Sequence, residues 1–240
     1  MCRSFLVAFA VVLLALGCAA SIANAATLQA GDRLLVDWCA VYTGENNVDS
    51  LGRTWNSLIP SAGKTTPKLV DATGKITDHD IYASSSVGYS QTGASFPPST
   101  LAASSLTDYP DFAFKDGIQN AASHPMTLTI QHLDKSLTYN LTLYGSYGVS
   151  ANDYLTEVTI NDDASGKQSY NAGGAAGEGS VTFTNVAPDI NGKIKIVLSA
   201  THATNRGYNN VLDIQAVPEP GTSALLGLAG LAALRRRITH

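Results

Sequence analysis

The stretch Leu137-Thr138-Tyr139-Asn140-Leu141-Thr142-Leu143-Tyr144 constrains the fold more than any other part of the chain. Leu137, Tyr139, Leu141 and Leu143 fall on every second position, with Thr138, Asn140, Thr142 and Tyr144 between them. A period of two belongs to a strand with one buried side, whereas a helix would scatter those four side chains around its axis. Residues 127–132 (TLTIQH) alternate in the same way, bringing Leu128 and Ile130 together. Shorter runs at 34–38, 154–160, 167–171, 180–184, 193–199 and 210–216 are rich in Val, Ile, Leu and Thr. Turn-forming residues separate them. Leu133-Asp134-Lys135-Ser136 predicts a hairpin joining 127–132 to 137–144, and residues 161–166 predict a turn that returns 167–171 beside 154–160. The segment 51–116 is rich in Ser, Thr, Gly and Pro and reads as strands between long surface loops. No long helical period occurs between residues 26 and 216. The expected class is all-β, an antiparallel β-sandwich or jelly roll.

The two ends follow different rules. Arg3 is the lone charge before an apolar run from Phe5 to Leu16, and small residues then lead to Ala23-Asn24-Ala25. This layout predicts a helical signal peptide over 1–25, cut by signal peptidase between Ala25 and Ala26. Cys18 raises a lipoprotein alternative, but Ala15 stands where a larger aliphatic residue is expected. At the other end, Pro218 and Pro220 interrupt regular structure. An uncharged apolar run over 221–234 follows, and then Arg235, Arg236 and Arg237. An apolar segment closed by basic residues reads as membrane-inserted with its arginines on the cytoplasmic side. Fourteen residues fall short of the roughly 20 that span a bilayer, so the C-terminal apolar helix is expected to anchor the chain in the inner membrane only transiently.

Removing both ends leaves a β-sandwich domain over 26–216, large enough for one core. It holds 11 basic and 18 acidic residues, a net charge near −7. No basic cluster stands out, which argues against nucleic acid as a partner. Cys39 is the one cysteine of this domain, so it has no internal disulfide.

Val217-Pro218-Glu219-Pro220, the apolar run and the terminal arginines together resemble a PEP-CTERM sorting signal. In that family Pro-Glu-Pro is recognised by an exosortase, a membrane-embedded processing enzyme. The resemblance implies a Gram-negative-type bacterium and export through its inner membrane. The mature protein would then reside at the cell surface or in the extracellular matrix. Ala25 and Ala26 would flank the first cut, while Pro218, Glu219, Pro220, Arg235, Arg236 and Arg237 would direct sorting over 217–240. A second resemblance, to galactose-binding-like jelly rolls, rests on Leu35-Val36-Asp37, Trp55-Asn56-Ser57-Leu58, Leu69-Val70-Asp71-Ala72-Thr73-Gly74, Lys115-Asp116-Gly117, the 133–145 stretch and Tyr208-Asn209-Asn210-Val211-Leu212-Asp213-Ile214. Cys39 stands where that pattern has a small residue.

Motifs for catalysis are weak. Gly88-Tyr89-Ser90-Gln91-Thr92 lacks the second glycine of a nucleophile elbow. Gly63-Lys64-Thr65-Thr66 lacks the earlier glycine of a phosphate loop. Asp78-His79-Asp80 reads as an exposed turn, and the histidines lack zinc spacing. Glu45, Glu157 and Glu178 are the glutamates of the domain; glycoside hydrolysis needs two carboxylates about 5–10 Å apart in space, and sequence does not bring any two together. Sugar binding calls for aromatic faces with amides beside them. Tyr89, Tyr109, Tyr147 and Tyr208 lie in loops, with Asn152, Asn209 and Asn210 nearby. Tyr147, within Gly145-Ser146-Tyr147-Gly148, is the foremost candidate, while Trp38 and Trp55 read as core. Asp37 and Asp213, on first and last strands, are the candidates for calcium; no other cofactor is expected. The expected function is non-enzymatic, a surface or exopolysaccharide-matrix protein. A module binding extracellular polysaccharide is the alternative and a glycoside hydrolase the third reading.

Overall fold

The computed structural model describes residues 26–38, 47–84, 90–92, 110–114, 116–120, 124–147, 152–175, 177–201 and 206–218. The expected signal helix and C-terminal apolar helix, with Ala25, Glu219, Pro220 and Arg235 to Arg237, lie outside these residues. Among the described residues no helix is long and apolar enough to cross a membrane.

The strands, in chain order, begin with β1 (Arg33–Trp38), β2 (Asn47–Val48), β3 (Thr54–Leu58), β4 (Lys64–Thr65) and β5 (Asp80–Ala83). Next come β6 (Ser90–Thr92), β7 (Asp116–Asn120), β8 (Met126–Gln131), β9 (Leu137–Ser146) and β10 (Leu155–Ile160). The last are β11 (Gln168–Asn171), β12 (Glu178–Val186), β13 (Ile194–Ala200), β14 (Gly207–Asn209) and β15 (Val211–Pro218). They form two six-stranded sheets, ordered β12-β9-β15-β1-β3-β2 and β11-β10-β13-β8-β5-β4, and a small sheet β14-β7-β6. Among the described strands the pairs are antiparallel except β1 with β3. The architecture is an all-β sandwich.

Alternation explains the packing. Tyr139, Leu141 and Leu143 from β9, Leu212, Ile214 and Ala216 from β15, and Leu34, Val36 and Trp38 from β1 point inward. Across from them lie Leu128 and Ile130 of β8, Val158 and Ile160 of β10, and Ile194, Ile196 and Leu198 of β13. The outer face of the first sheet carries a smaller cluster of Leu35, Trp55, Tyr144 and Val211, covered by Phe112 and Ala113. Trp38 and Trp55 are both fully buried, one in each cluster.

The expected hairpin between residues 127–132 and 137–144 does not form. β8 pairs with β13 and β5, while β9 pairs with β12 and β15 in the opposite sheet. The 132–136 link is an arch between sheets. His132 takes a positive φ of 65°, and Leu133 turns into the core with its N–H on the Gly192 carbonyl at 2.8 Å. Gly192 packs so tightly here that a Cβ would sit 2.6 Å from the Leu133 carbonyl oxygen. Tyr139 ties the arch down, its hydroxyl accepting from the Asp134 N–H at 3.0 Å; burial pushes this phenol up to about 12. Alternation therefore selected the inward face of both strands but not their partners. The second expected hairpin does form: β10 pairs with β11, and Asn161 and Asp162 hold positive φ in the turn.

Asp78-His79-Asp80 is not an exposed turn. His79 is fully buried, and its Nε2 accepts from the Leu28 N–H at 3.2 Å, fastening the first described residues to the domain. Asp80 bonds Lys68 Nζ at 2.8 Å and Gln131 Nε2 at 3.0 Å. Burial holds the His79 imidazole below its ordinary value. The unfolded chain titrates near 6.5, so below that pH it binds a proton that the folded chain refuses, and stability falls as pH falls through the folded value. The expected result is a denaturation midpoint that drops between pH 7 and pH 5, with a His79→Gln variant losing most of that slope. An unchanged slope in the variant would assign the pH dependence to other groups.

Candidate functional site

One end of the sandwich gathers most of the residues singled out for sugar binding. β14 reaches β9, β10 and β13, and β7 reaches β1 and β13, so the small sheet lies across this end and touches both large sheets. Tyr147 follows β9, Tyr154 precedes β10, and Tyr208 sits in β14. The Tyr147 ring lies 4.1 Å from that of Tyr154 and 4.6 Å from that of Tyr208, centroid to centroid. Tyr154 and Tyr208 meet edge to face at 5.2 Å, a favoured aromatic geometry. Tyr147 and Tyr154 are partly exposed, whereas Tyr208 is buried.

Their hydroxyls are linked. Hydrogen bonding with Tyr154 holds the Tyr147 phenol above its ordinary value, and partial burial adds to this. Burial raises the Tyr208 phenol above its ordinary value, and the neighbouring Tyr147 and Tyr154 phenols add to this. Arg206 lies near enough to oppose both shifts. Its Nη1 donates to Gln119 Oε1 at 2.6 Å, and Gln119 stands opposite Tyr208 in the β14–β7 ladder. A guanidinium thus flanks the tyrosines.

Beneath the rings the backbone is clasped by buried polar groups. Asn209 Oδ1 accepts from Trp38 Nε1 at 2.7 Å. Its Nδ2 donates to the Tyr144 carbonyl at 3.1 Å and to the Tyr170 hydroxyl at 2.9 Å. The Tyr170 hydroxyl donates to the Tyr208 carbonyl at 2.7 Å, and full burial pushes that phenol upward. Asn210 Oδ1 accepts from the Ser146 N–H at 2.6 Å. Two glycines are required by this packing. A Cβ on Gly145 would overlap the Tyr208 carbonyl, and one on Gly173 would overlap the Tyr154 ring.

Tyr147, Tyr208 and Asn209 therefore converge, with Tyr147 at the surface and Asn209 committed to internal bonds. Asn152 is exposed two residues before Tyr154. Tyr89, Tyr109, Glu45 and Cys39 lie outside the described residues. Sequence reasoning missed Tyr154, Tyr170, Gln119 and Arg206. Tyr154 immediately precedes a strand and was read as part of it, although the adjacent Asn152-Asp153 pair marks a loop end.

The other candidates are dispersed. Asp37 and Asp213 share the outer face of neighbouring strands. Arg33 grips both Asp213 oxygens through Nε, at 2.7 Å, and through Nη2, and Ser57 Oγ donates to Asp37 Oδ2 at 3.2 Å. Among the described residues no three His, Cys, Asp or Glu side chains are grouped to hold a metal. Glu157 is bonded to Lys167 at 2.8 Å and Glu178 to the Tyr144 hydroxyl.

Residues 216–237 match the family model of the PEP-CTERM protein-sorting motif. The chain carries a PEP-CTERM sorting motif. The PEP-CTERM motif marks it for export and exosortase processing. No curated protein matches the chain. Among solved structures it is similar to TmCBM61 in complex with β-1,4-galactotriose, at 12% identity and TM-score 0.29, over 58% of this chain and 88% of that one. It is also similar to a native family 35 carbohydrate binding module from Clostridium thermocellum, at 14% identity and TM-score 0.31, over 57% of this chain and 91% of that one. A third likeness is to an exo-β-1,3-galactanase from Phanerochaete chrysosporium, at 12% identity and TM-score 0.33, over 71% of this chain and 36% of that one.

The clasp sets two expectations. Asn209→Ala strands the Trp38 indole N–H in the interior, whereas the Tyr144 carbonyl keeps the Asn210 N–H at 2.8 Å, and is expected to cost on the order of 1–3 kcal/mol of unfolding free energy. Gly145→Ala is expected to cost about 1–3 kcal/mol through overpacking. Denaturant titration reads both, and neutral substitutions would refute the clasp.

Proposed function

We propose that this exported protein is a non-enzymatic component of the cell surface or extracellular matrix that holds extracellular polysaccharide at the tyrosine end of its sandwich. The observation that carries the reading is the pair of partly exposed rings of Tyr147 and Tyr154, fixed by Tyr208 and by the clasp beneath. Rigid aromatic faces stack on the apolar side of a pyranose with little loss of side-chain freedom, and the phenol hydroxyls, Asn152 and Arg206 supply polar partners around them. The domain as proposed is cut after Ala25 and released from its terminal helix, leaving the sandwich as the functional unit.

A catalytic reading has less support. Asp49, Asp80, Glu157, Glu178 and Asp213 are each engaged by a structural partner. Those partners weigh against their use as the pair of carboxylates that a glycosidase leaves facing its substrate.

The test is binding of the purified processed protein to a glycan panel that includes the producer's own polysaccharide, with and without calcium. Saturable binding is expected, weakened about tenfold, roughly 1.4 kcal/mol, by Tyr147→Ala or Tyr154→Ala while the unfolding transition stays cooperative. Absence of saturable binding to every glycan would sink the reading and leave a purely structural surface protein. Calcium dependence would direct attention back to Asp37 and Asp213.

A further inference from the structure

The small sheet brings a charge to the tyrosine end. Arg206 immediately precedes β14 and stands two residues before Tyr208. In an extended chain such positions share a face. Gln119 of β7 lies opposite Tyr208 in the ladder, and residues opposite each other also share a face. The 2.6 Å bond from Arg206 Nη1 to Gln119 Oε1 agrees with both placements. Arg206 is exposed and Gln119 is buried. Tyr208 packs on Tyr147 from this same side. The guanidinium therefore stands at the rim of the partly exposed Tyr147 and Tyr154 rings.

The bonding of this rim is one-sided. Gln119 Oε1 is taken by Arg206, so the amide is left with Nε2, which can only donate. Nε2 is buried and finds no hydrogen-bond partner among the described residues. A buried donor without an acceptor is rare and costs as much as a lost hydrogen bond, and the group that would complete it is an acceptor. The guanidinium beside it is likewise a donor throughout. The Gln119 amide also orients the guanidinium without cancelling its charge, as a carboxylate in that place would. Two donors, one of them cationic, match an anionic oxygen group better than a hydroxyl. Bonds of a guanidinium to a carboxylate are shorter and roughly twice as strong as neutral ones, and the two groups are both planar.

We propose that the tyrosine end selects acidic polysaccharide: a uronic acid unit stacks its ring on Tyr147 and Tyr154 while its carboxylate accepts from the Arg206 guanidinium and the Gln119 amide. This assignment rests on the polysaccharide reading above and names its substrate class. The carboxylate of a uronic acid projects from the edge of the pyranose, so a stacked ring can reach a rim group without leaving the aromatic faces. Gln119 acts mainly as a positioning residue, holding the guanidinium beside the rings. The domain itself is acidic, so the preference arises from this local contact and not from a general attraction to polyanions.

The experiment titrates the purified processed protein with polygalacturonate, polyglucuronate and alginate, each beside its carboxyl-reduced polymer, and with dextran sulfate. At least one uronic polymer is expected to bind about tenfold or more tightly than its reduced form. Arg206→Gln is expected to bring that ratio to within about twofold of unity, with Arg206→Lys in between because it keeps the charge and loses the planar fork. Unfolding curves check that both variants remain cooperative, and the wild-type ratio is read without either. Equal affinity for acidic and reduced polymers overturns the proposal, as does a ratio that survives Arg206→Gln. Tighter binding to dextran sulfate than to every uronic polymer also overturns it, by making the contact a general anion site. Binding to neutral glycans alone defeats this assignment and leaves the polysaccharide reading standing, whereas binding to no glycan defeats both.

Discussion

The side-chain amide of Asn209 is the interaction on which the tyrosine end of the fold depends. It joins the indole of Trp38 on β1, the backbone of Tyr144 on β9 and the phenol of Tyr170 on β11. These three strands belong to both large sheets. An amide is suited to this because it offers an acceptor and two donors in one plane. Inside the sandwich, where water does not substitute, each of those bonds has a desolvation penalty behind it. The two sheets are thereby held together at this end by directed bonds as well as by apolar contact.

From that clasp the geometry of the surface follows. Tyr170 passes the constraint to the Tyr208 carbonyl, Tyr208 packs against Tyr147, and Tyr147 against Tyr154. Gly145 and Gly173 let the backbone approach closely enough for this stacking. The partly exposed rings at the top of the series thus rest on a buried, hydrogen-bonded base. For the proposed polysaccharide site, rings seated on such a base lower the ordering cost of binding. The opposite limit applies at the far end of β15, where Pro218 closes the ladder and the sorting motif leaves the sheet.

Much of the core was legible as a list of inward-facing residues. Tyr139, Leu141, Leu143, Leu128 and Ile130 were assigned to the interior from alternation alone, and all are buried. Their neighbours were not legible. Residues 133–136 have the chemistry of a hairpin turn, yet Leu133 is drawn into the core against the Gly192 turn, and the chain crosses to the other sheet. A turn sequence reports that the chain reverses, not which strand lies beside it afterward. The site was legible in part for the same reason. Tyr147, Tyr208 and Asn209 were marked by loop position, but the roles of Tyr208 and Asn209 as base and clasp depend on burial. Tyr154, Tyr170, Arg206 and Gln119 join them from distant points of the chain through sheet pairing.

The sequence by itself determined that this is an all-β domain ending in a PEP-CTERM sorting motif, because both are written locally: one in a period of two, the other in contiguous Pro-Glu-Pro, apolar and basic residues. Only the tertiary structure decided that β8 and β9 face each other across the core, that the tyrosines converge at one end, and that the motif begins inside a central strand. Those features rest on contacts between residues far apart in the chain, and long-range pairing is selected by the packing of the whole sandwich.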